Sequence, residues 1–172
     1  MISRPKTQLA LRPMLPTDVP LLAEIFRASI EELSSDDYSE AQREAWASAA
    51  DDEEEFGEKL ARELTLVATH AGAPIGFASL ANNTRIDMLY VHPTAVGQGA
   101  AAMLCDALEK LAAVRGAKEL TVDASDTARG FFEKRGYTAK SRNTVLLNGE
   151  WLANTTMVKP LAAKEATKES AP

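Results

Sequence analysis

The pattern of apolar and polar positions changes period along the chain. "TQLALRPM" (residues 7–14) alternates apolar and polar side chains, the period of a strand with one buried face, until Pro13 and Pro16 interrupt it. Thr17 and Asp18 then supply helix-start chemistry, and Leu21, Leu22, Ile25, Phe26 and Ile30 recur at helical spacing. A second, short helix is predicted near residues 39–50. "DDEEEFGEKLARE" (51–63) predicts a third, because acids at its head complement the positive end of the helix dipole.

From residue 64 the pattern turns strand-like. "LTLVATH", "APIGFASLAN" and "TRIDMLYVHP" are separated by "AGA" and "NNT", both turn-forming, which predicts an antiparallel meander. A helix follows from Gly97 to about Arg115, with Ala101, Leu104, Leu108, Leu111 and Ala112 as its apolar stripe and Gly116 as its stop. "KELTVDA" reads as a strand and "TARGFFEKR" as a short helix closed by Gly136. "YTAKSRNTVLLN" and "EWLANTTMVKPL" form a hairpin across Asn148-Gly149, a strong two-residue turn signal. Residues 1–161 read as one domain with no internal repeat. The Ala, Lys, Glu and Pro composition of 162–172 predicts a disordered tail.

Composition narrows the function. The 172 residues are 45% apolar, enough for one domain with a core of its own. No run is long and apolar enough for a membrane span, and the start lacks a signal-peptide core, so a cytoplasmic location is expected, with no membrane partner. One cysteine, Cys105, excludes an internal disulfide; with only two histidines beside it, no metal site is expected. We read Cys105 as a small buried residue. The net charge of −6 argues against nucleic acid as a partner and suits a cationic substrate such as an amine.

The most specific chemistry lies in "VHPTAVGQGAAAMLCDAL" (91–108). A glycine-opened helix start presents free backbone N–H groups and the positive end of a dipole, which suits a phosphate. Gly97-Gln98-Gly99-Ala100-Ala101-Ala102 fits the G-x-G-x-x-A dinucleotide fingerprint, and Asp123 stands where a ribose-binding acid could be. That motif ends its strand directly at the first glycine, however. Here His92 to Val96, including Pro93, intervene, and a meander rather than parallel units precedes. The absence of G-K-[ST] excludes a Walker A loop.

The full constellation runs from "LYVHP" through "VGQGAAAMLCDAL" to "ASDTARGFFEKRGY". It resembles the GNAT superfamily of N-acetyltransferases over roughly residues 8–160, and "YSEAQREAW" is similar to a subgroup of uncharacterised members. The family loop Q/R-x-x-G-x-G/A aligns with Val96-Gly97-Gln98-Gly99-Ala100-Ala101. The later signature aligns with Ala128, Phe131-Phe132, Gly136 and Tyr137. The resemblance implies a mixed α/β (α+β) fold: a GNAT-like central, mostly antiparallel mixed sheet of about seven strands flanked by helices. It implies acetyl-CoA as co-substrate, a small-molecule or peptide amine as acceptor, and direct transfer in a ternary complex. It also leaves room for a homodimer.

The same resemblance distributes roles. Leu89, Tyr90 and Val91 would pair with the pantetheine amides and offer a backbone N–H to the thioester carbonyl. Val96, Gly97, Gln98, Gly99, Ala100, Ala101 and Ala102 would hold the pyrophosphate, with Ser125, Ala128 and Phe132 along the cofactor arm. Val96 replaces the usual Arg or Gln, and Ser125 a common Asn. Phe132 replaces a frequent Tyr that protonates the leaving thiolate, which keeps open a non-catalytic acetyl-CoA-binding or regulatory domain. Asp87, four residues before Val91, shares its face by period two and is the candidate base; the alternative is a strand acid paired with Arg85. Tyr137, with Tyr90, is a candidate acid, against a role in packing. Tyr38, Gln42 and Trp46, at i, i+4 and i+8, form either an acceptor wall or an anchor of their helix on the sheet.

Overall fold

Strand β1 (Leu9–Pro13) and helix α1 (Val19–Leu33) open the fold, joined by a 3-10 turn at Pro16–Asp18. The structure is a computed structural model describing residues 8–162; Thr7 of the expected first strand and the expected tail from 163 onward lie outside the described residues. Asp18 fixes the entry to α1. Its carboxylate accepts from Leu15 N at 2.7 Å and from both Arg12 Nη atoms at 2.7 and 2.8 Å.

Helices α2 (Glu40–Ala47) and α3 (Glu53–Arg62) follow, each with a side-chain cap. Ser39 and Gln42 cap α2 reciprocally, and Asp52 accepts from Glu55 N at 3.1 Å at the head of α3. The meander is β2 (Leu64–His70), β3 (Ala73–Ala81) and β4 (Arg85–Val91). Helix α4 (Ala100–Val114) leads to β5 (Glu119–Ser125), α5 (Arg129–Lys134) and the hairpin of β6 (Thr138–Leu147) and β7 (Glu150–Pro160).

The strands form one seven-stranded sheet in the order β1-β2-β3-β4-β5-β7-β6, and only β4 and β5 are parallel. Alternation along each strand builds a core on both faces. Leu66, Ala78 and Leu80 join Leu104, Leu108 and Phe132 under α4. Val67 and Phe77 join Phe26, Ile30 and Leu60 under α1 and α3. The helix expected from Gly97 begins instead at Ala100, because Gly97 and Gly99 hold left-handed φ angles of 88° and 89°. Its buried stripe accordingly runs through Ala100, Leu104, Cys105, Leu108 and Ala112; Ala101 is only half-buried.

Candidate active site

The site begins where the sheet comes apart. β4 and β5 pair only at Arg85–Thr121 and Ile86–Val122, and beyond these β4 keeps β3 on one side and loses β5 on the other. A sheet edge facing the protein interior carries backbone groups that need partners. The gap is a cavity of about 500 Å³. Leu89, Tyr90 and Val91 line one side, and Ser125, Ala128, Phe131 and Phe132 the other. An extended ligand bearing amides would supply the missing strand.

The end of β4 delivers the chain to the glycine turn. Val96, Gly97, Gly99, Ala100, Ala101 and Ala102 border the cavity there. The first hydrogen bond of α4 runs from Met103 N to Gly99 O at 3.0 Å, so the N–H groups of Ala100, Ala101 and Ala102 have no intrahelical partner. Nothing stands within 4 Å of where a Cβ would project at Gly97 or Gly99, so both glycines serve the turn and leave open space before the helix. This is a built cradle for an anion, and it fits a pyrophosphate. The Gln98 side chain is exposed outside the lining, leaving this residue only its backbone to contribute.

At the other end of β4 lies an acid cluster. Ser79 pairs with Met88 and Leu80 with Ile86, so Asp87 is the extra residue of a β-bulge. The bulge reverses the alternation: Ile86 packs under α4, whereas Met88 packs under α1. Asp87 therefore does not share the face of Val91, which belongs to the α4 side; it turns toward α3. Lys59 Nζ stands 2.9 Å from Asp87 Oδ2, an ion contact rather than an aligned hydrogen bond, and Arg85 Nη2 is 3.1 Å from Oδ1.

Glu63, at the end of α3, completes the cluster together with Ser79. Burial, then the neighbouring Asp87 charge, pushes the Glu63 carboxyl above its ordinary range. Burial works in the same direction on Asp87, but Lys59, the neighbouring Glu63 and Arg85 outweigh it and leave that carboxyl lowered. Glu63 Oε1 and Ser79 Oγ are buried without an aligned hydrogen-bond partner.

The family model described as Acetyltransferase (GNAT) domain matches residues 34–161 of this chain. The chain belongs to the GNAT acetyltransferases. It is 36% identical to the uncharacterized N-acetyltransferase YafP of Escherichia coli K12, over 85% of this chain and 92% of that protein. A crystal structure from Rhodopseudomonas palustris, described as a GCN5-related N-acetyltransferase and as a class-II aminotransferase, is 61% identical. It matches at a TM-score of 0.89, covering 92% of this chain and 100% of that one. PaiA N-acetyltransferase of Thermoplasma acidophilum shares the fold at a TM-score of 0.74 and 20% identity, over 88% of this chain and 98% of that one. Membership places the protein among the acyltransferases.

Within this GNAT cleft the aromatic residues sort differently from the sequence expectation. Tyr137 does not reach the cavity: it lies 2% exposed under α4 and donates to Glu109 Oε2 at 3.0 Å. It is a packing residue there, stacked edge-on to Phe132 with ring centroids 5.2 Å apart. Tyr90 lines the cavity, ringed by Phe26, Phe77 and Trp46 at 4.7, 5.8 and 6.3 Å, and its hydroxyl accepts from Trp46 Nε1 at 3.3 Å. Burial pushes the Tyr90 hydroxyl far above its ordinary range.

Of the proposed acceptor residues only Trp46 lines the cavity. Tyr38 precedes α2 instead of lying on it. Its hydroxyl donates to Ala153 O at 2.7 Å and accepts from Asp126 N at 2.9 Å. Gln42 Nε2 donates to Trp151 O at 2.8 Å. Both fasten α2 to the far half of the sheet, outside the lining. Ser125 Oγ accepts from Ala128 N at 3.1 Å and steadies the turn into α5. Cys105 is fully buried in the α4 core, where burial pushes its thiol up to about 12.

Proposed function

We propose that the protein transfers the acetyl group of acetyl-CoA to a primary amine by direct attack in a ternary complex. The observation that carries this is the unpaired edge of β4 running straight into the glycine-capped start of α4. One ligand satisfies both features: pantetheine amides along Leu89, Tyr90 and Val91, and a pyrophosphate at Gly97 to Ala102. Two proteins of the same fold are described in complex with coenzyme A and with acetyl-CoA, PaiA of Thermoplasma acidophilum and YncA of Salmonella typhimurium, which supports that choice of ligand.

Acetyl-CoA supplies a thioester. The amine nitrogen bonds to the acetyl carbon, the C–S bond breaks, and its electron pair leaves with sulfur. The incoming ammonium must first lose a proton. Asp87, held by Lys59 and Arg85, is the acid lining the cavity beside α3, and its carboxylate takes that proton directly or through a water. The backbone N–H groups of β4 polarise the carbonyl.

No phenol serves as acid. Phe132 has no proton to give, Tyr137 is outside the cavity, and the raised hydroxyl pKa of half-buried Tyr90 makes it a poorer donor. A thiolate of ordinary pKa about 8.5 is instead protonated through solvent by the proton the amine released.

Calorimetry with acetyl-CoA and thiol release with an amine panel test this reading. Asp87→Asn is expected to lower turnover by about 10²–10⁴, the range for a lost general base, with acetyl-CoA affinity within a few-fold. Unchanged turnover and an unchanged pH profile in Asp87→Asn would refute the role of that residue.

A further inference from the structure

One wall of the cleft is a short helix. α5 has six residues, too few to hold itself in water, so its place against α4 depends on what packs on it. Phe132 supplies part of the hold by packing with Leu104 and Leu108. Charged and polar side chains behind the wall supply more.

Glu109 is the centre of that group. It lies on α4, about 14 Å along the axis from Ala100, and does not line the cavity. Its Oε2 accepts from the Tyr137 hydroxyl at 3.0 Å and from Arg135 Nη2 at 3.2 Å, and its Oε1 accepts from Lys159 Nζ at 2.7 Å. Arg135 Nη2 also donates to Asp106 Oδ1, one turn earlier on α4, at 2.6 Å. Arg135 and Tyr137 follow α5 directly, and Lys159 stands on β7, so the far side of the cleft converges on one carboxylate of α4. The Glu109 side chain is only 13% exposed, where solvent screens these contacts poorly. Burial, then the Glu109 charge, pushes the Tyr137 hydroxyl far above its ordinary range, so it stays a donor.

The hold passes into the wall through backbone and rings. Tyr137 N donates to Phe132 O at 3.0 Å and Gly136 N to Glu133 O at 3.1 Å, which folds the residues after α5 back onto it. Tyr137 lies edge-on to Phe132, and the Arg135 guanidinium stands 5.8 Å from the centroid of Phe131. Phe131 and Phe132 both line the cavity.

We infer that Glu109 is a positioning residue for the co-substrate: from outside the cleft it fixes the α5 wall against α4, and so sets the spacing between the glycine turn and the groove for the arm. The inference rests on the acetyl-transfer reading. Acetyl-CoA spans both places, and a ligand that spans two subsites gains from both only while their spacing matches its own. Loosening the wall weakens the whole ligand and spares a fragment that touches the turn alone.

Calorimetry with the full chain compares acetyl-CoA with 3′-phospho-ADP, the fragment that carries the pyrophosphate without the arm. Glu109→Gln keeps the volume of the side chain and an oxygen for Tyr137, but gives up the charge that holds Arg135 and Lys159. It is expected to raise the acetyl-CoA Kd at least about tenfold and to leave the Kd of the fragment within about twofold. Tyr137→Phe deletes one hydroxyl and keeps the ring; it is expected to shift the balance the same way by about threefold or more, and it decides the matter if Glu109→Gln shows no cooperative melt. Unchanged acetyl-CoA affinity overturns the inference. So does an equal loss for both ligands, the mark of general damage to the fold, and so does a wild-type chain that binds acetyl-CoA but not the fragment. If the wild-type chain binds no acetyl-CoA, the acetyl-transfer reading falls with it.

Discussion

Replacing Tyr38 by Phe deletes one oxygen and two hydrogen bonds while keeping the ring. The oxygen joins three parts of the chain: the segment before α2, Asp126 after β5, and Ala153 in β7. Tyr38 is only 6% exposed, so water does not readily replace it, and Ala153 O and Asp126 N are left unpartnered. At a net of about 1 kcal/mol per bond the loss is about 2 kcal/mol. For a chain of this length each kcal/mol is worth about 2–4 °C in Tm, giving a fall of about 4–8 °C. The ring contact with Trp46, at 5.4 Å between centroids, survives the change. Urea denaturation and thermal melts measure the stability; acceptor KM and acetyl-CoA Kd, measured in parallel, report on the site. The expected pattern is a lower midpoint at constant m-value, a raised acceptor KM from the loosened α2, and an unchanged acetyl-CoA Kd. A stability within about 0.5 kcal/mol of the parent, inside the range of an ordinary surface change, would show that Tyr38 is not the tie described.

Gly99→Ala should fold, because its Cβ meets nothing within 4 Å, but the positive φ costs about 1–2 kcal/mol; Gly99→Trp should fill the cradle and abolish the calorimetric signal of acetyl-CoA. Phe132, 2% exposed between Phe131 and Tyr137, should cost about 3–5 kcal/mol when cut to Ala and should weaken acetyl-CoA, whereas Phe132→Tyr should leave the Kd within a few-fold; equal affinity in Phe132→Ala would place that ring outside the cofactor site. Hydrogen bonds from Arg12, aided by Leu15 N–H and opposed by burial, hold the Asp18 carboxyl below its ordinary range. Its contribution is therefore present above the unfolded pKa of about 3.9 and lost as pH falls through the lower folded value, so Asp18→Asn should flatten the acid limb of a stability–pH curve.

Local chemistry was legible in the sequence. The turns at Asn82-Asn83 and Asn148-Gly149 take the positive φ angles that those residues tolerate, so the meander and the final hairpin fall where the pattern put them. The glycine turn was legible for the same reason. What stayed hidden depends on partners far apart in the chain. "RIDMLYV" reads as regular alternation, and nothing in it announces that Ser79 and Leu80 pair across Asp87 to make a bulge. Glu63 looks like one more acid at a helix end until β4 is laid beside α3. Tyr38 and Gln42 look like a helical face, yet each spends its polar atoms on the hairpin more than a hundred residues later, at Ala153 and Trp151. Tyr137 is hidden by Glu109, a partner on α4 that no spacing rule would select.

The two-rung junction between β4 and β5 also has a consequence for folding cooperativity. The sheet is close to two sub-sheets, β1–β4 and β5–β7, joined by the shortest strand pairing among the described residues. A ligand lying along the open edge of β4 would act as mortar between them, binding the joined halves better than the parted ones. By mass action, occupancy at a hundred times the Kd adds about 2.7 kcal/mol to global stability. Amide exchange should record this unevenly: slowest gains in the outer strands β1 and β6, largest gains at Leu89, Tyr90 and Val91. The protein's resistance to unfolding and proteolysis would then follow the supply of its own co-substrate.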